Sequence, residues 1–187
     1  LNGPSNLANH PDGSLYIADS NNQRIRRIDS QTRVISTVVG NENPPMWNES
    51  QPASNASIGT PFALAISASG TLYFCEASEL GANTVIAYDG PNAPLRIAAG
   101  IRGRKGFSEE QGFATELMLD EPTSIAVHGD NALFIADSKN HRIREVDLAT
   151  GFMSTYAGTG VAGFSGDGEA ATNACLGTVT KLSLIHI

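Results

Sequence analysis

The sequence is poor in several features that would point to particular classes of protein. Among 187 residues it has two cysteines, one tryptophan and three methionines, too few cysteines to indicate a redox compartment. No run of about 18 apolar residues occurs, so no segment is expected to span a membrane as a helix. Lysine and arginine number 12 against 19 acidic residues, giving a net charge of −7, which disfavours a nucleic-acid partner.

A sustained helical period with capping residues is also missing, whereas turn-forming residues are plentiful. The chain has 19 glycines and 9 prolines, with 41% hydrophobic residues. This combination is typical of a turn-rich all-β protein.

The main positive feature is an internal repeat. Segments 3–40 and 121–158 align throughout, and a weaker copy occupies 60–100. Pro4, Pro61 and Pro122 hold the same place in each copy, about sixty residues apart. A unit that recurs in this way is one supersecondary module that is stabilised by stacking on its neighbours. Cys75 and Cys175 hold unlike repeat positions, so we expect two free thiols.

Each strong copy contains four short runs of β-forming residues separated by turn sequences such as HPDG at 10–13. The runs predict strands at 5–9, 14–18, 24–29 and 34–39 in the first copy, and at 124–128, 132–136, 142–147 and 152–157 in the third. Four antiparallel strands per repeat are typical of a β-propeller blade. We therefore expect three consecutive four-stranded antiparallel blades.

Two motifs resemble the NHL-repeat family of β-propellers. LYIAD with NQRIR at 15–26 carries the resemblance in the first copy, and LFIAD with NHRIR at 133–144 carries it in the third. The second copy departs from the pattern, because Glu76 replaces the aspartate and NTVI at 83–86 lacks the arginines. The resemblance implies a ring of about six blades, of which this chain would supply three.

The repeats divide the chain into blade 1 at 1–40, a linker and blade 2 at 41–100, and a linker and blade 3 at 101–160. Residues 161–181 are read as a linker and the truncated start of a fourth blade, because 171–176 align with 53–58 and 114–119. The sequence LSLIHI at 182–187 resembles a translated sequencing adapter and is expected to be an artefact. We expect a fragment that can self-associate through open blade edges.

Strand alternation indicates where binding would occur. The turns that follow second strands must emerge on the same side as the linkers, and the other turns on the opposite side. The linkers at 41–57, 101–118 and 161–175 are long and unlike, and diversified loops on a rigid scaffold are a common binding surface. The predicted contact residues are Asn22, Trp47, Arg102, Arg104, Lys105 and Asn140.

No constellation of catalytic or metal-ligating residues emerges, so neither a metal nor another cofactor is predicted. His10 and His128 occupy equivalent turns and are interpreted as turn residues. Two acidic–basic pairs could form across hairpins, and their recurrence indicates a structural role. These pairs are Asp19 with Arg24 and Asp137 with Arg142.

The favoured hypothesis is a non-catalytic binding propeller whose linker side contacts a protein or glycan partner. Asn48 and Asn55 each begin a glycosylation sequon, which favours an extracellular or ectodomain setting. The resemblance leaves two alternatives: part of a six-bladed, metal-dependent lyase- or lactonase-like enzyme whose site lies outside this sequence, and an RNA-binding NHL propeller. The first strands are mostly Ala, Leu, Ile and Ser, a poor set for acid–base or metal chemistry.

Overall fold

The computed structural model describes residues 1–41, 52–77 and 83–184. Its strands form three antiparallel sheets that follow one another in the order of the repeats. Within these three stretches the only helical structure is four short 3-10 turns, and no helix there is long and apolar enough to cross a membrane. The predicted all-β class with three successive blades is confirmed.

Blade 1 contains β1 (Pro4–Asn9), β2 (Leu15–Asp19), β3 (Arg24–Ile28) and β4 (Ile35–Val39), paired in that order. The sequences of β2 and β3, LYIAD and RIRRI, are rich in the branched and aromatic residues that suit a pleated sheet. The predicted boundaries agree with the observed ones to within a residue.

Blade 2 contains β5 (Thr60–Ile66), β6 (Leu72–Ala77), β7 (Thr84–Tyr88) and β8 (Arg96–Ala99), again paired in chain order. Every residue of β7 is buried, because this sheet has a neighbouring blade on each face. Burial on both faces explains why its sequence is apolar at successive positions instead of alternating.

Blade 3 contains β10 (Pro122–His128), β11 (Ala132–Asp137), β12 (Arg142–Asp147) and β13 (Phe152–Ala157) in the same order. The first strands of the three blades, β1, β5 and β10, lie side by side. The blades are therefore arranged around a common axis that is lined by their first strands, as the repeat predicted.

A fifth strand, β9 (Gln111–Phe113), extends blade 3 on its outer edge by pairing with β13. It comes from the preceding linker, and its Phe113 ring meets Phe152 edge to face at 6.2 Å. The sequence did not predict this strand, because three residues centred on a glycine give no alternation and little β propensity.

Two apolar cores fill the spaces between the blades. Alternate residues of blade 2 point to opposite sides, so that Leu72, Phe74 and Ile86 face blade 1 while Tyr73, Cys75 and Val85 face blade 3. Burying a side chain of this size contributes about 1.5–3 kcal/mol. From the outer blades, Tyr16, Ile25 and Val39 complete the first core, and Leu133, Ile135, Val146 and Met153 complete the second.

Each blade ends with the same backbone hydrogen bond to the linker. The N–H groups of Gly40, Gly100 and Gly158 donate to the carbonyls of Ala53, Ala114 and Ala171, at 3.1, 2.9 and 3.0 Å. A Cβ atom at any of these glycines would lie 2.3–2.4 Å from a backbone oxygen, so only glycine fits. The three segments aligned in the sequence, at 53–58, 114–119 and 171–176, thus begin at the same structural position.

Candidate binding faces

The two ends of the sheets differ in what they carry. At one end, Lys139 N–H in the β11–β12 turn donates to the carbonyl of Asp120 at the end of a linker, at 3.1 Å. At the other end, Ser69 N–H in the β5–β6 turn donates to the Asp130 carboxylate in the β10–β11 turn, at 2.8 Å. We call the first end, with residues 20–23, 101–110 and 138–141, the linker face, and the second, with residues 10–13, 67–70 and 128–131, the turn face.

A buried carboxylate lies at the linker-face end of each second strand and holds the chain that enters the first strand. In each blade the carboxylate accepts a backbone N–H two residues before the position of the repeat proline. The pairs are Asp19 with Asn2, Glu76 with Gly59 and Asp137 with Asp120, at 2.7, 2.8 and 2.8 Å. Glu76 therefore makes the same contact as Asp19 and Asp137, and the recurrence of this contact in three blades indicates a structural role.

The environments of these carboxylates shift their pKa values in different directions. Burial raises the pKa of Asp137 to about 6, opposed by the Asp120 N–H, the Asn140 amide and the charge of Arg144. Burial also raises the pKa of Glu76, opposed first by the charge of Arg102. For Asp19 burial acts in the same sense, but hydrogen bonds from the Asn2 N–H and the Asn22 amide, with the charge of Arg26, lower the pKa.

The predicted ion pairs across the hairpins are wrong, because each aspartate lies near the second arginine of its motif and not the first. Asp19 lies opposite Arg24 in the strand register, yet its carboxylate pairs with Arg26 at 3.5 Å. In blade 3, Asp137 lies 4.0 Å from Arg144 Nη1. The carboxylates turn inward to accept backbone N–H groups, which brings them to the second arginine of each motif.

Arg142 instead fastens the second linker to blade 3. Its Nη2 donates to Glu110 Oε1 at 2.6 Å, and its guanidinium lies 4.0 Å above the centre of the Phe107 ring. The neighbouring Arg144 is fully buried and donates through Nη2 to the Glu109 carbonyl at 2.9 Å. Cation–π and charge-assisted contacts of this kind rigidify the loop that they hold.

The predicted contact residues that the structure describes all lie on the linker face. Arg102, Arg104 and Lys105 are all exposed, and Arg102 Nη1 lies 3.4 Å from the buried Glu76 Oε1. Asn22 is exposed, and its amide donates to Asp19. Asn140 is 9% exposed.

The amide of Asn140 donates to Gly106 O and Asp137 Oδ2, both at 2.8 Å, which commits this side chain to holding the linker. Trp47 and the sequon residue Asn48 lie outside the described residues. The other sequon residue, Asn55, is exposed in a 3-10 turn.

The turn face carries a groove that the sequence did not predict. It runs between blades 1 and 2, has a volume of about 670 Å3 and includes Tyr16 and Tyr88 on its floor. We call it the turn-face groove. Its walls come from two blades, so neither repeat alone reveals it. The ionisable side chains that line it are His10, Asp12, Arg27 and Asp89.

Within residues 1–41, 52–77 and 83–184, no three His, Cys, Asp or Glu side chains lie close enough together to hold a metal ion. Both cysteines are free thiols, as predicted. Burial raises the pKa of the Cys75 thiol strongly, whereas hydrogen bonds from Ser165 and Thr159 lower the pKa of Cys175.

Comparison with known proteins agrees with this architecture. Residues 119–145 match the family model of the NHL repeat. Human Teneurin-4 is 29% identical over 167 residues, which cover 83% of this chain and 6% of Teneurin-4. Protein SUPPRESSOR OF QUENCHING 1, chloroplastic, from Arabidopsis thaliana is 29% identical over 180 residues, or 90% of this chain and 16% of that protein. The chain thus spans a small part of these relatives.

Solved structures share the fold at low sequence identity. An auxiliary nutrient binding protein from Bacteroides ovatus superposes with a TM-score of 0.66 and 17% identity, covering 97% of this chain and 43% of that one. A gluconolactonase from Xanthomonas campestris gives 0.57 and 15%, covering 97% and 50%. These structures confirm the predicted β-propeller fold, and the match at residues 119–145 supports the predicted NHL repeat.

Proposed function

We propose that this chain is part of a non-catalytic binding propeller whose linker face contacts a protein or glycan partner. The observation that supports this role is the loop at 101–106, which holds exposed cations on a fixed backbone. Arg104 N–H donates to the Ile101 carbonyl at 3.0 Å, and Gly106 N–H donates to the Leu119 carbonyl at 3.1 Å. A loop that is ordered before binding loses little conformational entropy on association.

The charge of this loop contrasts with that of the chain. The sequence RGRK at 102–105 contributes three cations to a chain whose net charge is −7. Arg102 is exposed but paired with the buried Glu76, so Arg104 and Lys105 supply most of the net positive charge that this loop presents. A local cationic patch on an acidic protein suits an acidic surface on the partner, because complementary charge directs the encounter and its orientation.

The remaining polar groups of the linker face support a scaffold role. The carboxylates of Asp19, Glu76 and Asp137 each hold a backbone N–H group of their own chain, and Arg142 and Asn140 hold the linker. These groups fix the shape of the face, and the exposed residues between them are left to meet a partner.

The test is to screen the complete protein against purified ectodomains and against a glycan array, and to repeat every hit with two variants. The double variant R104E/K105E reverses the exposed charge of the linker face. R33E is the matched control, because Arg33 is an exposed cation beyond β3 on the turn face. We expect R104E/K105E to weaken binding by about tenfold or more and R33E to leave it unchanged. Hits that survive R104E/K105E but lose binding in R33E would overturn the assignment of the face.

A further inference from the structure

The turn-face groove has the size and composition of a small-ligand site. Its volume of about 670 Å3 falls within the range of about 300–1,000 Å3 that ligand pockets occupy. Its shape depends on Gly70, whose φ is 97° and where a Cβ atom would lie 2.7 Å from His10 Nε2. This close approach brings the turns of blades 1 and 2 together and forms one wall of the groove.

Two tyrosines on the floor have hydroxyl groups with no protein partner. Tyr16 and Tyr88 are 7% and 3% exposed, yet neither hydroxyl forms a hydrogen bond to any residue of the described chain. Neither oxygen is among the buried atoms that lack a partner in the described residues, so both hydroxyls open onto the groove that they line. Burial raises the pKa of Tyr88 to about 12 and also raises that of Tyr16, so both hydroxyls remain protonated and can donate as well as accept.

The wall from blade 1 presents a carboxylate that is held in place by positive and polar neighbours. Asp12 Oδ2 lies 3.1 Å from Arg27 Nη2, and Asp12 Oδ1 lies 2.8 Å from His10 Nδ1. Ser14 N–H also donates to Asp12 Oδ1, at 2.7 Å. The pKa of Asp12 is held well below its usual range, first by this backbone bond. The carboxylate is therefore ionised and fixed in orientation.

The wall from blade 2 repeats this arrangement with different residues. Asp89 accepts hydrogen bonds from Thr71 Oγ1 at 2.7 Å and from Arg96 Nε at 3.0 Å. Arg27 also lies 3.0 Å from Asp29 Oδ2, so the walls carry slightly more negative than positive charge. An anionic ligand would therefore find no excess of positive charge, whereas a neutral ligand rich in hydroxyls would meet carboxylate acceptors, hydroxyl donors and aromatic rings.

We propose that the turn-face groove binds a neutral saccharide, with the hydroxyls of Tyr16 and Tyr88 and the carboxylates of Asp12 and Asp89 contacting its hydroxyl groups. Carboxylates accept hydrogen bonds from sugar hydroxyls, and hydrogen bonds to charged groups are the strong ones. The phenolic hydroxyls can serve either donor or acceptor groups of the sugar. This site is on the opposite side of the propeller from the linker face, so its occupancy does not depend on the partner proposed there.

The experiment titrates the complete protein with a panel of neutral methyl glycosides of glucose, galactose, mannose and N-acetylglucosamine, up to about 10 mM, by saturation-transfer NMR. The variants are Tyr16→Phe and Tyr88→Phe, which remove only a hydroxyl that has no protein partner. Tyr156→Phe is the control, because Tyr156 is 52% exposed and lies outside the groove. A thermal melt of each variant shows that the fold is kept.

We expect at least one glycoside to bind, with affinity about tenfold lower in Tyr88→Phe and Tyr16→Phe and unchanged in Tyr156→Phe. A second arm uses a glycoprotein that carries the same terminal sugar and distinguishes a free saccharide from a displayed glycan. Absence of binding by every glycoside and the glycoprotein would overturn the proposal. So would equal binding by all three tyrosine variants, or tighter binding of glucuronate than of glucose.

Discussion

The hydroxyl of Ser20 donates a 2.6 Å hydrogen bond to the carbonyl of Pro61, the second residue of the first strand of the next blade. The same bond recurs in blade 3, where Ser138 Oγ donates to the carbonyl of Val179, again 41 residues further along the chain. Thr123 Oγ1 also donates to that carbonyl, at 2.7 Å. Val179 thus occupies the structural position of the repeat prolines, beside blade 3.

The serine bond predicts a specific loss of stability. Ser20→Ala removes the shorter of the two hydroxyl hydrogen bonds that the Pro61 carbonyl accepts, the other coming from Ser5. We therefore expect the free energy of unfolding to fall by about 0.5–1.5 kcal/mol. Ser36→Ala, at an exposed position on β4, is the control and should change it little. Denaturant unfolding monitored by circular dichroism measures both. Equal stability of the two variants would show that the bond between the blades does not contribute.

The carboxylate of Asp137 gives a prediction about pH. Its pKa in the folded state is about 6 because of burial, above the value of about 3.9 for an unfolded chain. The folded state binds this proton more tightly, so the contribution of Asp137 to stability is fully present below the unfolded pKa and is lost as pH rises through about 6.

Carboxyl carbon NMR titration checks this shift directly. Asp137 should titrate near pH 6, and Asp19, whose pKa is lowered, should titrate below its usual range. A measured pKa of Asp137 at or below that of Asp19 would show that burial is not the main influence on the Asp137 pKa.

The two thiols should differ in reactivity. Cys75 is fully buried and its pKa is raised, whereas Cys175 is partly exposed and its pKa is lowered. Since the thiolate is the reactive form, a thiol reagent such as DTNB should modify Cys175 quickly and Cys75 only after unfolding. Cys175→Ser should abolish the fast phase, and a fast phase that persists in this variant would contradict the assignment.

The outward faces of blades 1 and 3 predict self-association of the isolated chain 1–187. Leu7 on β1 is 59% exposed and Phe152 on β13 is 41% exposed, each pointing away from blade 2. Apolar patches of this kind favour association. Light scattering should show concentration-dependent oligomers that L7S/F152S reduces, while the exposed control Val34→Ser should not. A chain that stays monomeric at every concentration would refute the prediction.

The sequence predicted the parts of the fold that depend on local pattern. Four runs of β-forming residues per copy predicted the strands of blades 1 and 3. The three aligned segments that begin at Ala53, Ala114 and Ala171 occupy equivalent positions in the structure, as their sequences indicated. The strand at 111–113 was missed because it forms only against β13. The pairing of Asp19 with Arg26 was missed because the aspartate turns inward to accept a backbone N–H.

The candidate sites were predicted only in part, for the same physical reason. The side on which Arg104 and Lys105 emerge follows from strand alternation alone. The burial of Asn140 depends on a carbonyl of the linker, which no local pattern reveals. The turn-face groove needs Tyr16 from one blade and Tyr88 from the next, so it arises only when the blades pack.

The most direct test of the binding role is hydrogen exchange of the complete protein with and without the protein partner identified in the ectodomain screen. Amides that a partner covers exchange more slowly, so the footprint locates the contact surface. Binding through the linker face predicts slower exchange at 101–106 and 138–141, with no change at 67–70 and 128–131. Protection confined to 67–70 and 128–131 would place the partner on the turn face and contradict the account.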